Sequence, residues 1–185
     1  MAPNERFSLP GYHPFLRDFR HASLNATILN KKDFSRADFA DADLRTARLE
    51  QAKFNWAYMV RSDLTEAKLD RAQLRDAVLD GARLDKAILL GADLSRSRLT
   101  FATLKQTNLT GAKLEEAYLE GADLSGAILE NADLRKADLA SGYLQNADLH
   151  WSDLSHANLT SVDLRGANLV EVDLTDTNLY KANLE

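Results

Sequence analysis

Four residues with chemical potential fall close together near the C-terminal quarter of the chain: His150, Trp151, Asp153 and His156. Imidazoles and a carboxylate at that spacing could ligate a divalent metal or relay a proton. Serine, aspartate and histidine are all present, so a hydroxyl nucleophile with a base is a second chemistry to weigh. The chain has no cysteine, which removes thiolate metal sites, disulfides and Cys nucleophiles. The 8 glycines are scattered singly, so none forms a phosphate-cradling loop. Chemistry of any of these kinds needs a concave, desolvating pocket. Whether one can exist depends on the elements that carry the residues.

Those elements announce themselves as a repeat, which must be sought before any other pattern. Every position whose number ends in 4 or 9, from Phe19 to Leu184, is apolar. Of these 34 positions, 29 are Leu, four are Phe (Phe19, Phe34, Phe39, Phe54) and one is Met59. Two residues earlier, 23 of 34 are Ala, and only Arg17 and Lys32 depart from small or short residues there. The register never slips, so no loop is inserted.

A period of five belongs to neither helix nor flat strand. On a helix the leucines would spiral over every face; on a strand alternate leucines would point to opposite sides. A chain that bends once per pentapeptide instead turns every leucine, and the small residue before it, toward one interior. The other three residues face outward and hold nearly all the charge. Six glycines (Gly81, Gly91, Gly111, Gly121, Gly126, Gly166) share one site, two after the leucine, where a bend at positive φ would suit them. The sum is a solenoid stabilised by stacked neighbours.

Residues such as Ala122-Asp123-Leu124-Ser125-Gly126 and Ala167-Asn168-Leu169-Val170-Glu171 resemble the pentapeptide repeat family over residues 17–185. That resemblance implies an all-β fold, a right-handed quadrilateral parallel β-helix with twenty residues per coil. The 34 units, four to a coil, would then give 8.5 coils, a rod about 40 Å long at a strand spacing of about 4.8 Å. Bulky interior residues fall into columns at that spacing: Phe19, Phe39 and Met59 in one, Phe34 and Phe54 in another. Residues 1–16, with Pro3, Pro10 and Pro14 around Phe7, Leu9, Tyr12 and Phe15, read as an N-terminal cap, because proline blocks further strand addition. The pattern runs to Leu184 without an equivalent, so Leu179 and Leu184 are expected to form a homodimer contact through the C-terminal coil.

On a convex rod the histidines face solvent on consecutive sides, and no catalytic residue, metal ligand or cofactor is expected. A net charge of −5 argues against direct nucleic-acid binding through a basic face. No signal peptide or membrane span is evident, and a cytoplasmic location is expected. The leading functional expectation is a non-catalytic interaction scaffold for an unidentified protein partner.

The family implies an alternative, a DNA mimic that binds the type II topoisomerase gyrase and protects it from quinolones or toxins. Asp or Asn precedes the leucine at 18 of 34 units, where hydrogen bonding to the bend is the simpler role. The column Asp133, Asp153 and Asp173 would stack like charges and either satisfy backbone donors or meet a cationic partner. Residues 1–90 carry a net charge of +2 and residues 91–185 one of −7, a basic first half that weakens the mimic. One side of the coil stands apart. At twenty residues per turn it stacks Tyr58 and Val60, Val78, Arg98 and Phe101, then Tyr118, a composition suited to a partner-binding surface.

Overall fold

The computed structural model describes residues 17–185; the expected cap, residues 1–16, lies outside the described residues. Parallel β-bridges join residues twenty apart throughout, from Asp18↔Asp38 to Asp163↔Asn183. The chain is therefore a parallel solenoid with a twenty-residue coil and four bends per coil. Four faces result. The first holds residues 17–21, the second 22–26, the third 27–31 and the fourth 32–36, each recurring every twenty residues.

Each face is one pentapeptide, and its backbone hydrogen bonds explain its shape. Taking 121–127 as the example, the amide of Asp123 donates to Ala102 O on the coil before (3.0 Å). The amides of Leu124 and Gly126 donate to Tyr143 O and Gln145 O on the coil after (2.7 and 2.8 Å). The amide of Ala127 closes the bend onto Leu124 O at 2.9 Å. Only one residue per unit is bridged, so the ladder consists of isolated bridges between bends and contains no extended strands.

The bend has positive φ at the second residue after the leucine in every unit from His21 to Lys181, at 27 non-glycine residues and six glycines. With positive φ confined to the third of its four residues, the bend is a type II turn. A non-glycine residue in that region costs about 1–2 kcal/mol, so stacking must offset a recurrent strain. Trp56, Phe101 and Trp151 take this conformation with φ of 58°, 56° and 60°.

The interior is as the period requires. Leu44 to Leu154 at the leucine positions are fully enclosed, and the alanines two before them are likewise at most 1% exposed. Small residues are needed there because the four walls of the coil leave room for one large side chain per unit. Phe19 stacks on Phe39 with centroids 4.7 Å apart, and Phe34 on Phe54 at 5.3 Å; the two columns meet edge to face, Phe34 on Phe39 at 5.3 Å. Most hydroxyls at the small position find carbonyls, such as Ser62 on Met59 O (2.8 Å) and Thr107 on Leu84 O (2.7 Å), whereas Ser97 Oγ is buried without a partner among the described residues. No helix among the described residues is long and apolar enough to cross a membrane.

Candidate protein-docking faces

Four of the five amides in a unit are paired by backbone. The fifth, on the residue after the leucine, is left over. All eighteen Asp and Asn residues that precede the inward leucine or phenylalanine accept this amide through Oδ1, from Asp18 with Arg20 (3.0 Å) and Asp33 with Ser35 (2.9 Å) to Asn183 with Glu185 (3.3 Å). The structural role foreseen for them is thus met. Where arginine follows the leucine it also forks onto the same carboxylate, as Arg45 does on Asp43 (2.8 and 2.7 Å). Thr65, Ser95, Ser125, Thr160 and Thr175 also donate their hydroxyls to that oxygen, as in Ser125 to Asp123 (2.6 Å).

The acidic column stacks as expected, Asp133↔Asp153↔Asp173. Its carboxylates are occupied. Asp133 holds the Arg135 amide and guanidinium, the guanidinium also lies 3.8 Å from Asp153, and Asp173 takes the Thr175 amide and hydroxyl. Hydrogen bonds from Arg135 and from Thr175 keep the carboxyls of Asp133 and Asp173 below the usual range.

On the first face the bridges Tyr58↔Val78↔Arg98↔Tyr118 place the column on successive coils. Exposure divides it. Phe101 (68%) and Tyr118 (46%) stand out, Tyr58 and Val60 are half-buried, and Val78 is only 6% exposed between its neighbours, so it offers a partner little surface. Arg98 pairs with Asp80 at 2.6 Å. The Phe101 ring covers Gly121 on the next coil and leaves no room for a Cβ there. Trp56, 49% exposed and under the Arg36 guanidinium at 5.5 Å, borders the same face at its other corner and was not foreseen. Its signal was present: residue 56 is the bend that delivers the chain to Tyr58.

The histidines do not converge. His150 lies 2.7 Å from Asp148 and 3.5 Å from Glu130, while His156 lies 3.6 Å from Asp176 on the next side. The Asp148 hydrogen bond raises the His150 pKa and lowers that of Asp148. No cluster of metal-binding side chains occurs among the described residues. In the last coil Leu179 is half-buried and Leu184 is 55% exposed.

The third face carries a groove of ≈ 540 Å³, also unforeseen, with Lys68, Arg71, Ile88 and Leu90 on its walls beside Glu50 and Asp70. Its column is readable at twenty-residue spacing, but the groove depends on which side chains lie flat.

A coil of four pentapeptide bends around a leucine ladder, with polar caps on its bends, defines a repeat protein of the solenoid class. The pentapeptide repeats family model matches in 8 copies that begin at residue 18 and end at residue 185. The chain belongs to the pentapeptide repeat family. It is similar to the crystal structure of HetL, described as involved in heterocyst differentiation regulation in the cyanobacterium Nostoc sp. strain PCC 7120. The two are 32% identical, with 91% of this chain and 88% of that one covered and a TM-score of 0.54. A trypsin-treated variant of QnrB1, a plasmid-mediated fluoroquinolone resistance protein, shares the fold at TM-score 0.73 and 17% identity, covering 91% and 87%. No curated protein matches the chain significantly.

Proposed function

We propose that this protein is a non-catalytic, cytoplasmic interaction scaffold, a right-handed quadrilateral rod of about 8.5 coils that presents its first face to a protein partner. The observation that carries the reading is the aromatic surface there. Phe101 and Tyr118 on adjacent coils, with Trp56 at the corner, project from the first face beside Arg98, whereas the exposed Ile28, Tyr143, Trp151 and Val170 lie on other faces. Exposed aromatics beside arginine are the anchors that protein interfaces favour. The involvement of HetL in heterocyst differentiation regulation supports a family member acting by contact.

Phe101→Ala with Tyr118→Ala removes two anchors, each worth about 2 kcal/mol if central to an interface. Affinity for a partner purified from the source organism is expected to fall by hundreds-fold, with the melting temperature within a few degrees of the parent. Full affinity in the double variant would end the reading, and lost stability with intact binding would show the aromatics to be braces for the rod.

The gyrase reading rests on the QnrB1 likeness, which is one of fold. It predicts inhibition of gyrase supercoiling or relief of quinolone inhibition by the purified chain; the scaffold reading predicts neither. The occupied carboxylates of Asp133, Asp153 and Asp173 favour the scaffold. A homodimer through the C-terminal coil, with Leu179 and Leu184 in the contact, completes the proposal. Light scattering at high micromolar concentration is expected to give twice the chain mass, and a monomer there removes the dimer.

A further inference from the structure

We propose that the groove on the third face binds an acidic peptide segment, whose carboxylate supplies a cap that the protein itself leaves out. The site is separate from the first-face surface and does not depend on it.

Each unit leaves one amide over, on the residue after the inward side chain. Eighteen are capped by the Asp or Asn two residues earlier. Four more, where that residue is Arg, Gln or Thr, are capped from the preceding coil: Glu50 by Asn30 (3.1 Å), Arg75 by Asn55 (3.1 Å), Thr100 by Asp80 (3.2 Å) and Lys105 by Asp85 (2.9 Å). The rest meet no acceptor among the described residues, and only two pairs of these lie on consecutive coils. One pair, Val60 and Asp80, is on the first face, where the nearby cations are already taken: Arg61 by Asp41 (2.7 Å) and Arg98 by Asp80 (2.6 Å).

The other pair is Asp70 and Leu90, in the groove. Lys68 stands before Leu69 and Ile88 before Leu89, so neither unit has a side-chain acceptor in the capping place. Asp70, unlike Asp80 and Asp85, leaves the amide of the next coil unbonded. Lys68 and Arg71 line the same groove and have no ion-pair partner among the described residues, and the Arg71 stem runs over Gly91 on the next coil, 3.9 Å from where a Cβ would be. Two neighbouring donors and two unpaired cations converge on one place.

That set fits a carboxylate, because carboxylates and carboxamides are what the rod uses wherever this amide is capped. Two further features point to a peptide. Ile88 and Leu90 give the groove an apolar wall for an aliphatic neighbour of the acidic residue. Glu50, held through Oε1 by Arg48 at 3.2 and 3.1 Å, has a buried Oε2 with no partner among the described residues, an acceptor that a main-chain N–H would reach once the side chain shifts toward the groove. The carboxylates of Glu50 and Asp70 oppose an anion, but Arg48, Lys68 and Arg71 outnumber them.

The test titrates acetyl-Leu-Asp-Leu-amide into the isotope-labelled full chain and follows amide resonances by NMR. Saturable shifts at Asp70 and Leu90 are expected, with a Kd on the order of millimolar for so short a probe. Acetyl-Leu-Asn-Leu-amide should bind about tenfold more weakly, the usual value of a charge-assisted hydrogen bond, and Lys68→Gln with Arg71→Gln should weaken the acidic probe by a similar factor. Ile88→Asp places a cap of the protein's own beside Leu90; it should abolish binding without lowering the melting temperature. The proposal is overturned by the absence of saturable shifts at these two amides. It is equally overturned by unchanged binding in Ile88→Asp, by equal binding of the Asn peptide, or by inorganic phosphate giving the same shifts at lower concentration, which marks a plain anion site.

Discussion

Leu124→Asp is expected to cost several kcal/mol, enough to unfold most of the molecule, while Asp123→Ala one residue away costs about 1 kcal/mol. Leu124 is fully enclosed in the ladder, between Leu104 and Leu144 one coil to either side. A carboxylate there meets only aliphatic groups, because the amides around it are spent on the ladder: Leu124 N–H on Tyr143 O and Ala127 N–H on Leu124 O. It must either be buried unpaired or take up a proton, and both carry a large desolvation penalty. Asp123 faces out. Its loss frees one amide, that of Ser125, and breaks an ion pair with Lys105 at 3.0 Å whose lysine is half exposed, a contact of small worth in water. Urea unfolding of the two variants against the parent separates the costs. Equal values would place the interior on the wrong residues.

Such a contrast could be written from sequence because every interior position sees the same surroundings. A leucine at residue 124 has leucines twenty residues before and after, so one rule describes it. The Asp and Asn caps were legible for the same reason, since donor and acceptor lie two residues apart in one unit. What escaped were properties set by different side chains meeting across coils. Val78 faces outward by register, yet Tyr58 and Arg98 on the flanking coils leave it 6% exposed. Trp56 counts as a fourth-face residue by register, and only the bend brings it beside Tyr58. The caps from Asn30 and Asp80 onto the next coil, and the gap at Leu90, depend on how long side chains lie between neighbours twenty residues apart.

Acid should unfold the rod in a narrow window, because the same caps that hold the bends are ionised. Hydrogen bonds from Arg45 and Arg165 lower Asp43 and Asp163 to about 2, and Asp33, Asp133, Asp148 and Asp173 are lowered by Ser35, Arg135, His150 and Thr175 respectively. A carboxyl whose pKa is depressed by folding contributes stability that is fully present above its unfolded value of about 3.9 and is lost as the pH falls through the folded value. The melting temperature is therefore expected to hold down to about pH 4 and to drop steeply from there to about pH 2. His150 acts in the opposite sense, since its raised pKa favours folding below about 6.5 and the gain fades as the pH rises through the folded value. Asparagine separates ionisation from capping: Asn108, Asn158 and Asn168 accept the same amide at 3.0, 3.1 and 3.2 Å with no proton to gain. Asp43→Asn with Asp163→Asn should consequently lower the melting temperature at neutral pH, where the Arg45 and Arg165 forks are lost, and flatten its fall between pH 4 and pH 2. A parent curve that is level across that interval, or a double variant whose slope matches the parent's, would show that the capping carboxylates do not carry the acid response.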